Sequence, residues 1–105
     1  MRDYQRKNTP YYLPPALYRR VLSIVRDYPR MITIYGHEGE QNAPDYRADI
    51  QAIERALDQI PEEYAGDILQ DIREGKRTGT KEKAAACRVW RERFLFSVAV
   101  FRGWI

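Results

Sequence analysis

The sequence predicts an all-α fold, a small helical bundle. Three observations carry this expectation. Apolar residues recur at three- and four-residue spacing in successive segments, which is the period of a helix with one buried face. Prolines at 14–15, 29, 44 and 61 fall between those segments rather than inside them. The one stretch with strand-like composition, Arg30-Met31-Ile32-Thr33-Ile34-Tyr35, has no second strand elsewhere to pair with. At 105 residues there is room for one domain with one core, taken here as residues 1–105.

Residues 1–13 are polar, basic and tyrosine-rich, and read as an N-terminal arm. Its tyrosines suit base stacking, or Tyr11, Tyr12 and Leu13 pack onto the domain. Pro14-Pro15 opens the first helix, because a proline in the first turn lacks only an N–H that would have no intrahelical partner. Leu17, Val21, Ile24, Val25 and Tyr28 form its apolar stripe, and Pro29 ends or kinks it. Residues 30–35 then make a short second helical piece starting at Pro29, followed by a loop from Gly36 to Pro44. The next helix runs from about Asp45 to Gln59 on the stripe Tyr46, Ile50, Ile53 and Leu57. Ile60-Pro61 breaks it, and Pro61-Glu62-Glu63 starts another with acids where the helix dipole favours them. Tyr64, Ala65, Ile68, Leu69 and Ile72 are its inner face and Gly75 its end. Thr80 caps the last helix, about Lys81 to Arg102, with Cys87, Trp90, Phe94, Val98 and Phe101 facing the core. From Phe94 onward this helix is apolar nearly all round, so it is expected to be the central helix or a dimer surface.

Composition excludes several classes of function. Cys87 is the only cysteine and His37 the only histidine, so no internal disulfide, no zinc-type ligand set and no cofactor are expected. No nucleophile has a base within plausible reach, and no glycine loop has phosphate-binding spacing, so the chain is not expected to be an enzyme. The carboxylates fall on expected solvent faces. No apolar run reaches the length of a membrane span and no apolar signal core is present, which points to a cytoplasmic protein with no membrane partner.

Charge is the informative feature. The net charge of +3 hides a partition: residues 1–37 carry seven basic and two acidic side chains, residues 38–71 two and ten, residues 72–105 nine and three. The basic ends suit a polyanionic partner, or are neutralised by the acidic middle within the fold. Lys76, Arg77, Lys81, Lys83, Arg88, Arg91 and Arg93 are concentrated in one segment. At 100° per residue Lys81, Ala84, Arg88 and Arg91 share one side of the last helix, opposite the Trp90–Phe94 stripe. Small alanines at its start (Ala84, Ala85, Ala86) would let such a helix approach a major groove, with arginines reaching phosphates or guanine edges.

Tyr11-Tyr12-Leu13-Pro14-Pro15, Leu17-Tyr18-Arg19-Arg20-Val21-Leu22, Ile53-Glu54-Arg55-Ala56-Leu57, Ile60-Pro61-Glu62-Glu63-Tyr64, Trp90-Arg91-Glu92-Arg93-Phe94 and the closing Gly103-Trp104-Ile105 occur in this order along nearly the whole chain. In this the sequence resembles small phage and prophage proteins of Firmicutes, the RinA and ArpU types of transcriptional regulator. The resemblance implies a DNA-binding protein whose C-terminal half, residues 45–105, is helix-turn-helix-like, similar to region 4 of sigma factors. It implies that the helix after Pro61 supports the last helix, which reads double-stranded DNA and activates phage genes. On this expectation Arg88, Arg91 and Lys81 face the groove, and Lys76, Arg77 and Lys83 hold phosphates. Residues 75–90 admit two forms: a short helix and turn before the recognition helix, or, since nothing from Glu82 to Cys87 breaks a helix, one rod from Lys81. The rival reading is a protein-interaction module, docking RNA polymerase, another phage protein or a second copy through Phe96, Val100 and Trp104.

Overall fold

Helix boundaries follow the prolines. The computed structural model describes residues 9–38, 44–74 and 81–105, arranged as α1 (Pro15–Arg26), α2 (Tyr28–Glu38), α3 (Pro44–Leu57), α4 (Glu62–Glu74) and α5 (Lys81–Phe101). No strand occurs among the described residues, so the all-α expectation holds. Pro15 and Pro44 occupy first positions, Pro29 the second position of α2, and Pro61 stands just outside α4. The Pro61 carbonyl accepts from the N–H groups of Tyr64 and Ala65, so this proline is the residue before the helix rather than its first.

The joint between α1 and α2 shows the effect of Pro29 most clearly. Pro29 has no N–H to offer the Val25 carbonyl, so the α1 ladder ends before it, at Arg26. Asp27 is the joint: its N–H donates to Ser23 O, and its own carbonyl accepts from Met31 N, which starts α2. The Asp27 carboxylate also takes both Nε and Nη2 of Arg30, at 2.8 and 2.6 Å. That hydrogen-bonded guanidinium holds the Asp27 carboxyl below the usual carboxylate range. α2 then continues through Gly36 to Glu38 instead of stopping at Gly36. A single interior glycine costs a helix about 1 kcal/mol, which weakens the helix without ending it. The expected Gly75 end, the Thr80 cap and the first eight residues of the arm lie outside the described residues.

One apolar core joins all five helices and the lead-in. Phe94, Val98 and Ala99 from α5 meet Ile53 and Ala56 of α3, Val21 and Val25 of α1, Ile68 and Ile72 of α4 and Met31 of α2, each at 2% exposure or less. α5 is the central helix, packed against α3, α1 and α4. Leu13 is fully buried and Tyr11 sets its ring edge-on to Phe96 at 5.6 Å, so the end of the arm packs onto the domain. α2 is tied to α3 by the Tyr28 hydroxyl donating to Glu54 at 3.0 Å and by Arg30 Nη2 donating to the Tyr46 hydroxyl. Burial and the neighbouring carboxylate push the Tyr28 hydroxyl up to about 12.

The C-terminus of α5 is closed by a residue in the left-handed region. Gly103 has φ +75°, Gly103 N donates to Val100 O and Trp104 N to Ala99 O, the paired bonds of a Schellman cap. The Trp104 ring then carries two guanidinium groups, Arg20 of α1 at 3.9 Å and Arg102 at 4.9 Å from the ring centre. Arg102 itself donates to Asp49 of α3 at 2.7 Å, with both side chains mostly buried. The end of α5 is therefore fixed to α1 and α3 together.

Candidate nucleic-acid interface

α5 changes character along its length. Its inward stripe runs Cys87, Phe94, Leu95, Val98 and Ala99, all buried. Arg91 falls inside that stripe, four residues after Cys87 and seven before Val98. It is half-buried, and its Nε and Nη2 are shielded from solvent without a hydrogen-bond partner. The expected grouping of Arg91 with Arg88 on a solvent face thus separates in the structure. The physical reason is that the buried sector is set by the neighbours of α5: it keeps Cys87, Phe94 and Val98 of the expected stripe and extends from there towards Leu95 and Ala99. Trp90 and Phe101 are only partly buried, whereas Leu95 and Ala99, off that stripe, are in the core.

Arg88 is exposed, and it makes no hydrogen bond or ion pair with the described residues. Seven and eleven residues further on, the same angular face is buried at Leu95 and Ala99. At Arg88, α5 therefore stands clear of the core on a side that its later turns bury. Ala85 is exposed and Ala86 half-buried, so the backbone there carries little side-chain bulk. Lys81 and Lys83 lie in the first turn of α5; Lys76 and Arg77 lie outside the described residues. Residues 81–101 form one uninterrupted helix, which is the single-rod form for that part of the chain.

Arg93 is occupied differently from Arg88. Its guanidinium sits over both Tyr11 and Trp90, at 5.4 and 4.9 Å from the ring centres. These groups border a cavity of about 310 Å³ between the lead-in, α3 and α5, lined also by Ile60, Phe96 and Val100. Phe96 and Trp104, two of the three residues expected at a dimer surface, are engaged within the chain, by Tyr11 and by the two arginines. Val100 remains 43% exposed.

The basic residues of α1 and α4 were not singled out in the sequence, although the spacing of Arg19, Ser23 and Arg26 already placed them on the side of α1 away from its Leu17–Val21–Ile24 stripe. Arg26 Nε donates to the Ile72 carbonyl at 3.1 Å, which joins the C-terminal ends of α1 and α4.

No group of three or more metal-ligating side chains occurs among the described residues, and no helix there is long and apolar enough to cross a membrane. Comparison with protein-family models, with curated proteins and with solved structures finds no match to this chain.

Proposed function

We propose that the chain is a DNA-binding transcriptional regulator of the phage type, in which the first turns of α5 meet double-stranded DNA and α4 supports them in the manner of a helix-turn-helix pair. The observation that carries this reading is Arg88: an exposed guanidinium without a partner among the described residues, on a side of α5 that is open at that turn but buried further along at Leu95 and Ala99. Lys81 and Lys83 precede it and Ala84, Ala85 and Ala86 separate them, a sequence suited to close approach of a helix to a groove. Arg91 contributes from its inward position mainly to packing, so the groove contact rests on Arg88 and Lys81, and the phosphate contacts on Lys83, Lys76 and Arg77. Activation of phage genes follows from the resemblance of the sequence to RinA and ArpU types.

A gel shift of the full chain on its flanking genomic DNA, run across a salt series, tests the reading. Binding should weaken steeply with salt, because each neutralised phosphate releases counterions, and Arg88→Ala should weaken it with an unchanged helical circular-dichroism spectrum. Duplex affinity equal in wild type and Arg88→Ala at low salt removes the proposal.

A second reading, a protein-interaction module, is favoured by a different observation. Val89, Phe96 and Val100 recur at seven and four residues along one outward side of α5, with Val89 and Val100 each more than 40% exposed. Sedimentation over a wide concentration range separates the readings: a dimer disrupted by Val89→Glu with Val100→Glu supports the second.

A further inference from the structure

Arg19, Leu22, Ser23, Arg26 and Asp27 line an open cleft of about 540 Å³ on the outer side of α1. Arg19, Ser23 and Arg26 are spaced at four and three residues, so two cations and a hydroxyl face the same space. The acid in this lining, Asp27, is already neutralised by the two-point contact with Arg30, so the cleft presents positive charge. Arg26 is held to the Ile72 carbonyl, and Arg73, the next residue of α4, is exposed beside it. Arg19 and Arg73 make no hydrogen bond or ion pair with the described residues. The chain from Arg73 leads directly into Lys76 and Arg77.

We infer that this α1–α4 edge is a second contact surface for the phosphate backbone of duplex DNA, with Arg19, Ser23 and Arg73 as its contacts and Arg26 as the residue that positions the two helices. The inference rests on the DNA-binding reading of α5 and extends it: α5 meets the groove while the α1–α4 edge holds the flanking strand. Arginine and serine are the side chains that donate to phosphate oxygens, and such contacts fix orientation without reading sequence.

The test is a fluorescence-anisotropy titration of a labelled mixed-sequence duplex with the full chain, over a salt series starting near about 50 mM. Wild type, Arg19→Ala with Arg73→Ala, Arg19→Lys with Arg73→Lys, and Arg88→Ala are compared, each checked by thermal melting. The double alanine variant should lose about two phosphate contacts, lowering the slope of log affinity against log salt by about 1.8. The double lysine variant should restore most of the slope, since a point charge still displaces a counterion. The loss should be the same on any duplex sequence. If wild type binds, Arg88→Ala weakens it and the double alanine variant keeps the full slope, this inference is overturned and the reading of α5 stands. If wild type fails to bind duplex at the lowest salt, both fall.

Discussion

Arg88 and Arg91 are three residues apart, and their fates show what decides a side chain's role. Both are arginines on the same helix, yet one reaches solvent and the other turns two guanidinium nitrogens into the fold without a hydrogen-bond partner. A buried donor left unsatisfied costs about 1–3 kcal/mol, more when charged. Arg91→Met keeps the length of the side chain and removes the buried donors, so it should stabilise the protein by about 1 kcal/mol or more in urea unfolding; a clear loss of stability would contradict this placement. Periodicity could not separate the two residues, because it gives angles around a helix and not which angles the neighbours cover. Tyr28 offers a second check at this scale. Its hydroxyl is pushed up to about 12 by burial and Glu54, so the neutral phenol is favoured in the fold. Its contribution to stability is complete below the ordinary phenol range near about 10 and is lost as pH rises through about 12. An ultraviolet titration of wild type against Tyr28→Phe should show the missing group ionising near that upper value; a difference centred near the ordinary value would show that the Glu54 contact is absent in solution.

The helices themselves were legible because local chemistry and the apolar period agree in each of them. Pro15 and Pro61 mark starts, the stripe through Tyr46, Ile50, Ile53 and Leu57 marks the face turned to the core, and the run from Phe94 marks the central helix. The extension of α2 past Gly36 was not legible, since glycine weakens a helix without stopping it. Gly66 and Gly103 make the same point in opposite senses. Gly66 is exposed inside α4 with nothing within 4 Å of an added Cβ, so Gly66→Ala should stabilise the fold by about 0.5–1 kcal/mol. Gly103 has equally open space but φ +75°, so Gly103→Ala should cost about 1 kcal/mol and loosen the Trp104 cap. Thermal unfolding of the pair gives the two signs directly; shifts of the same sign would show that the cap does not form.

At the scale of the whole molecule, one core reaches every helix, and a few charged groups, Asp49, Asp71 and Arg91, are drawn in at its margin. Phe94 is the largest fully buried side chain among the described residues and belongs to that core, so Phe94→Ala should cost about 3–5 kcal/mol, a large part of the stability of a small domain. Two-state urea unfolding measures it, and a loss below about 1 kcal/mol would be inconsistent with a close-packed centre. The sequence displayed the basic segment of α5 but not the α1–α4 edge, because Arg26 and Ile72 are far apart in the chain and the ends of α1 and α4 come together only in the fold. The acidic middle of the chain contributes Asp49 to Arg102 and Glu54 to Tyr28, so part of it is consumed internally, while Arg88 keeps its charge at the surface. A nitrogen–proton correlation spectrum of the labelled full chain, titrated with duplex DNA at low salt, tests this most directly. Saturable shifts should gather on the amides of the first turns of α5 around Arg88, with Ala52 and Val98 in the core unmoved. A spectrum that does not change with duplex, or shifts that leave the start of α5 untouched, would contradict the account.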